Sequence, residues 1–341
     1  MSDFIKQQQK LAATALPLLK RSLILSALVD KQSGDSFKGA QGDVLNIRRP
    51  AVLAARSEAI TRSKTRSILT DEIVESTIQV KLTTHAYSAV DITDAEATLD
   101  VESFAEQILS PQVESIASDV DLQVRDAIET LPELADANGK PVAIGRNADP
   151  ELQAKAIRFA IPKLRKALNA RHVPAGGRLL VVGSELESML INDPHLTKLD
   201  ESGTTDALRE ASIGRLYGFT IVGSDVIDPD AMIAIHPTAF KLALIAPAAP
   251  GGAAFASSQS SNGVAMRYIR DYNSDKAMDR SFLSVYTGIS PVLDPLVNER
   301  GQYVDAKGVV ISNPDASKVV MTQQRGVKVS LAPVTTPPAG S

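Results

Sequence analysis

Cysteine is absent from all 341 residues of the chain. That removes disulfide staples, a thiolate nucleophile and every cysteine-ligated metal site at once. It also fits a protein made in a reducing cytoplasm. Tryptophan is absent too, and eight Phe and six Tyr are the whole aromatic complement. The core must be built mainly from Leu, Ile, Val and Ala. No long uninterrupted apolar run exists near the start, because Lys20 and Arg21 break the stretch from Leu11 to Leu28. Neither a signal peptide nor a membrane span is expected, and no membrane partner. A net basic balance is lacking as well. The formal charge of -4 argues against a dedicated nucleic-acid binder, which carries a basic face.

Catalytic signatures are missing. His85, His172, His195 and His236 are scattered and none sits at a metal-ligand spacing, so they read as packing or surface residues. Gly214, Gly218 and Gly223 in GRLYGFTIVG do not have the spacing of a dinucleotide fingerprint. The Gly-Ser pairs at 183–184 and 223–224 lack the Gly-x-Ser-x-Gly of a nucleophile elbow. Ser184 is better explained as a helix cap. Carboxylates are plentiful, but abundance without a pocket-like setting is no sign of acid–base chemistry. A divalent cation on them would be unspecific. The expectation is no enzyme, no catalytic residue and no cofactor.

What is present is a split of charge between Phe37 and Pro132. The first block is basic, with Lys38, Arg48, Arg49, Arg56, Arg62, Lys64 and Arg66 against Asp43 and Glu58. The second is acidic and includes Asp71, Glu72, Glu75, Asp91, Asp94, Glu96, Asp100, Glu102, Glu106, Glu114, Asp119, Asp121, Asp126 and Glu129, opposed by Lys81 and Arg125. Two readings stand. Complementary blocks let copies of one chain dock in a fixed direction; alternatively they are two solvated faces of a monomer. Binding of phosphate backbones by residues 48–66 is a weaker third, since no aromatics are interleaved for stacking.

Periodicity divides the chain. Leu16, Leu19, Leu23 and Ala27 predict a helix from Pro17 to Leu28. Val44–Arg49 predicts a strand. Residues 77–83 alternate as a second strand, and Tyr87–Ile92 as a third. Together they form a long two-stranded excursion with a basic tip, which something must cover. Ser110 and Pro111 predict the cap and start of a long helix with Val113, Ile116, Val120, Val124, Ile128 and Leu131 on one face and Glu114, Asp119, Asp121 and Asp126 on the other. A short helical piece over 101–109 leads into it. Asp149 and Pro150 open another helix, which Pro162 is expected to kink. From 173 short strands and helices alternate: strands at 178–182, 217–222 and 232–235, and helices at 184–190 and 205–211. Residues 247–262 read as a mobile loop. Val264, Met266 and Tyr268 run out, and Phe282, Ser284 and Tyr286 run back, as a hairpin. Beyond 291 the chain is turn-rich, with short β runs at 309–311 and 327–331, and the end from Pro333 reads as disordered.

The order of these parts resembles the major capsid (coat) proteins of tailed bacteriophages with the Hong Kong 97-like fold, over about residues 1–290. Stretches similar to that family are VDITDAEATLDVESFAEQILSPQVESIASDVDLQV (90–124), VPAGGRLLVVGSELESML (173–190), GRLYGFTIVGSDVI (214–227), AMIAIHPTAFKLAL (231–244) and GVAMRYIRDYNSDKAMDRSFLSVYTG (263–288). The resemblance implies an α+β fold. Its parts would be an N-terminal helical arm (1–36), an extended β E-loop (37–93) and a peripheral domain with a spine helix (94–172). A mixed α/β axial domain (173–262) and a β-hairpin returning to the peripheral domain (263–290) would follow. Residues 291–341 would be an extension, a small surface elaboration.

The resemblance further implies copies of the chain as partners, as pentamers and hexamers of an icosahedral shell around double-stranded DNA. The DNA would be contacted non-specifically, with a separate scaffolding protein and a portal as further partners. The location would be the virion, after assembly in the bacterial cytoplasm. The contact residues would be basic Arg48, Arg49, Arg56, Arg62, Lys64 and Arg66 of the E-loop. They would meet Asp91, Asp94, Glu96, Asp100, Glu102, Glu106 and Glu114 of the next copy. The competing functions are the shell of a cellular protein compartment and a soluble α/β enzyme using residues 173–262.

Overall fold

A computed structural model of the chain describes residues 15–20, 23–32, 44–49, 51–53, 55, 60, 70, 73, 76–93, 105–136, 138–193, 214–253, 255–261, 263–311 and 318–333. The predicted helix at 205–211 and the run from 334 onward lie outside the described residues.

The long helix forms as its period demands. α1 (Ser110–Glu129) buries Val113, Ile116, Ala117, Val120, Val124 and Ile128 on one stripe. Its start differs from the expectation. Leu109 occupies the N-cap position and makes no side-chain cap, while Ser110 is already helical and donates to Glu114 Oε1 at 3.3 Å. A π-helical turn, Ala105–Leu109, runs directly into it, so no free helix end remains for a serine to cap. α2 (Pro150–Ala170) begins as read: the Asp149 carboxylate accepts from the Glu151 amide at 2.9 Å. The helix continues through Pro162 to Ala170.

Two sheets make the body. The six-stranded sheet is built on β12 (Met278–Pro291), a long strand that pairs antiparallel with β4 (Thr84–Thr93) along its first part. It also pairs with β11 (Val264–Asn273) and then with β9 (Phe240–Ile245). β1 (Asp30–Gln32) and β10 (Phe255–Ser261) complete it. The predicted hairpin is β11–β12. The predicted mobile loop is half wrong: residues 255–261 pair along β11 in full register, because the small and polar residues FASSQSS can follow a half-exposed edge that the β11 backbone offers.

The five-stranded sheet has the order β15–β8–β5–β7–β6, from β5 (Leu179–Gly183), β6 (Arg215–Leu216), β7 (Phe219–Ser224), β8 (Ala231–Ile235) and β15 (Gly326–Ser330). β8 is buried at every position and β5 at all but its first. That explains their continuous apolar sequences, LLVVG and AMIAI, which show no alternation. One face carries Val181, Ile233 and Ile235 into a core shared with α1, residues 15–20 and the six-stranded sheet. The other carries Leu180, Val182, Met232 and Ala234 against Ile157, Ile161, Leu164 and Leu168 of α2 and Leu186 and Leu190 of α3 (Ser184–Ile191).

α2 packs on the five-stranded sheet. Residues 326–330 are no surface elaboration, because Val327 and Val329 are buried and β15 pairs along all of β8. Alternation placed a short strand there, but only the distant partner shows it to be core.

β2 (Val44–Arg49) and β3 (Ser76–Lys81) pair with each other as a separate two-stranded ribbon. The third predicted strand of the excursion is β4, which belongs to the six-stranded sheet.

Candidate assembly surface

The ribbon is fastened to the body at its root. Successive strand residues point to opposite faces, so Arg48 is exposed while the Arg49 side chain turns inward and is 8% exposed. Arg49 lies 3.0 Å from Asp294 Oδ1 and donates to the Leu293 carbonyl. Asp294 also receives both arms of Arg325, at 2.7 and 2.8 Å. Burial pulls the Arg49 guanidinium below the usual arginine range, Asp294 opposes that shift, and Arg325 adds to it. Tyr303 donates its hydroxyl to the Val52 carbonyl at 3.2 Å, and the Thr83 amide bonds Thr287 O at 3.0 Å. Where β3 ends, Gly288 permits the approach: a Cβ there would sit 2.1 Å from Lys81 O.

Arg49 is therefore already paired within its own chain, with Asp294 and the Leu293 carbonyl. The period-2 rule applied to Arg48 and Arg49 would have separated the two. Arg56, Arg62, Lys64 and Arg66 lie outside the described residues, as do Asp94, Glu96, Asp100 and Glu102. Glu106 falls in the π-helical turn, and its side chain is not among those described. Asp91 is exposed on β4, opposite Arg280, which donates to Asp271 at 2.7 Å. Glu114 is exposed near the start of α1. No described ion pair joins Arg48 or Arg49 to Asp91 or Glu114. Large apolar groups on the chain between β2 and β3 stay uncovered, with Leu53 62%, Ile60 102% and Ile73 67% exposed.

Sequence reasoning missed Asp121. Counted with the solvated acidic face, it is 3% exposed. It accepts from the backbone amides of Ile24 at 2.8 Å, Leu25 at 3.2 Å and Ser26 at 2.9 Å, and from the Ser26 hydroxyl. Those amides open the 3-10 turn Leu25–Leu28, so one carboxylate of α1 caps that turn. The signal was present: Asp121 stands four residues from Ala117 and three from Val124, inside the apolar stripe. Gln112 plays the matching part toward the sheet. Its amide donates to Ser88 O and Ser281 O, and the Ser281 hydroxyl donates back to it at 2.7 Å.

A second exposed feature lies on the sheet face opposite α1. Tyr87 stacks on Phe282 at 5.6 Å between centroids, and His85 sits edge-on to Tyr286 at 4.9 Å. Burial, with the nearby Arg267, pushes His85 below the usual histidine value. Among the described residues no His, Asp and Glu cluster is fit to hold a metal ion, and no described helix is long and apolar enough to cross a membrane.

Comparison with known proteins places this geometry. A family model described as phage capsid protein matches residues 75–301. No curated protein matches the chain. A solved structure from Mycobacterium phage Che8 is 18% identical, with a TM-score of 0.58 over 90% of each chain. The mature capsid of bacteriophage PhiM1 is 14% identical, with a TM-score of 0.59 over 92% of this chain and 88% of that one. The capsid of cyanophage P-SCSP1u is 10% identical, with a TM-score of 0.57 over 91% and 88%. The fold is thus the mixed helix-and-strand, Hong Kong 97-like fold of phage capsids. The chain belongs to the phage capsid protein family, the shell-forming proteins of phage virions.

Proposed function

We propose that copies of this chain form the icosahedral shell that encloses double-stranded viral DNA, and that the β2–β3 ribbon is the arm by which each copy grips its neighbour. The observation that carries the arm's role is its architecture. A two-stranded ribbon is marginal alone, yet this one is fastened at one end by Arg49, Tyr303 and Gly288 and leaves Leu53, Ile60 and Ile73 uncovered. A neighbour covers such groups in an assembly. The contact is heterologous, a patch on one copy meeting a different patch on the next, and such contacts close into rings when the rotation allows.

In this reading residues 37–83 form the E-loop and α1 is the spine of the peripheral domain, with the six-stranded sheet beneath it. The five-stranded sheet, with α2 and β15 added to it, is the axial domain that gathers into pentamers and hexamers. The chain acts structurally, with no catalytic step. A separate scaffolding protein and a portal assist assembly in the bacterial cytoplasm, and DNA is held without sequence preference.

Sedimentation and negative-stain microscopy of the purified protein, alone and with a scaffold supplied, test the reading. Closed uniform particles, or pentamers and hexamers, are expected; a stable monomer under every condition overturns it. Reversing Arg62, Lys64 and Arg66 to Glu should leave the subunit folded, as its melting curve reads, while particle formation stops. Normal particles from that variant would end the charged-arm reading.

A further inference from the structure

The root of the ribbon contains a cleft of about 540 Å³ lined by Arg49, Val52, Ile78, Leu293, Tyr303 and Met321, among others. It is mostly apolar, with a buried guanidinium at one wall. Among the described residues, Arg49 and Arg325 share the single carboxylate of Asp294, two positive charges to one negative beside the cavity. A carboxylate carried on an apolar segment would satisfy both features.

The chain holds such a segment. Residues 94–106, DAEATLDVESFAE, set Asp94, Glu96, Asp100, Glu102 and Glu106 among Leu99, Val101 and Phe104, with no cation. A copy cannot place this segment in its own cleft. Thr93 pairs with Met278 at one end of β12, whereas the cleft is lined by Ser290 and Pro291 at the other. Twelve strand residues separate them, about 40 Å. The segment's other anchor is no nearer. Gln112 of α1 bonds Ser281 and Gln123 bonds Thr287, so α1 runs toward the cleft and Ala105, before its start, lies at the remote end. Residue 99 can reach only about 20 Å from Thr93.

We propose that the cleft receives part of the 94–106 segment of a second copy, a carboxylate against Arg49 and an apolar side chain in the cavity. The inference rests on the shell reading and assigns it one specific contact.

The absence of native cysteine makes a clean test. Val52→Cys and Val101→Cys are made in separate chains, co-assembled in equal amounts and oxidised. A disulfide-linked dimer should form in the mixture and in neither variant alone. Adding Arg49→Met to the Val52→Cys chain should cut its yield several-fold. Well-formed particles without the dimer overturn the proposal, as does a bond closing within one doubly substituted monomer or a Val52→Cys adduct to a different particle protein. If the unsubstituted chain forms no particles at all, the shell reading falls, and this inference with it.

Discussion

The five-stranded sheet and the β2–β3 ribbon are both made of short strands, but they differ in what holds them. The sheet is covered on both faces, and its strands β5 and β8 carry almost nothing polar. The ribbon has two strands, intermediate or exposed at every position except Val80, and it is tied down by one arginine, one tyrosine and a close glycine contact. Burial gives the sheet a stability that does not depend on neighbours. The ribbon's few polar anchors fix where it starts, while Leu53, Ile60 and Ile73 stay exposed.

Changes to the sheet should therefore cost folding, and changes at the ribbon root should cost geometry. The largest effect is expected from ending the chain after residue 320, beyond the last residue of the family match. That removes β15 with buried Val327 and Val329, a loss of about 3–6 kcal/mol from burial of those two side chains, comparable with the whole stability of many domains. Insoluble or unfolded protein is the expected result; a soluble subunit with an unchanged urea midpoint would show that β15 is dispensable. Next comes Asp121→Ala, which leaves three backbone amides without their acceptor. A loss of about 3 kcal/mol is expected, read as a lower urea midpoint and faster amide exchange at Ile24, Leu25 and Ser26. Asp294→Asn should cost less, about 2 kcal/mol, since Arg49 and Arg325 lose their shared charge. Its distinguishing mark is faster tryptic cleavage after Arg48 while the two sheets stay intact.

The smallest effect is that of acid on the junction between the sheets. His236 follows β8 directly and its ring bonds Thr238 at 2.8 Å. Burial holds its value below the ordinary 6.5, a backbone bond opposes, and Arg325 and Arg178 deepen the shift. A lowered value means the unfolded chain binds the proton more readily. The contribution is therefore complete above about pH 6.5 and is lost as the pH falls below it. Melting curves between pH 7.5 and 5 should fall for the native chain and fall less for His236→Gln; parallel curves would remove His236 from the account.

Much of this was legible in the sequence. The stripe of Val113, Ile116, Val120, Val124 and Ile128 predicted α1, and Asp149 with Pro150 predicted the start of α2, because both signals act within a few residues. The ribbon strands and the β11–β12 hairpin were legible for the same reason. Asp121 was misread because it was grouped by charge along the chain, and charge blocks do not report which way a side chain faces.

The sequence by itself determined the local elements, the charge split, and the lack of any cysteine or catalytic motif, since all of these follow from neighbouring residues. Only the tertiary structure decided that α2 and β15 belong to the five-stranded sheet, that Asp121 caps the 3-10 turn, and that Arg49, Asp294 and Arg325 meet at the ribbon root. The physical reason is separation. These partners stand up to 245 residues apart (Arg49 and Asp294), and their pairing is set by the burial of whole faces, which no local window contains.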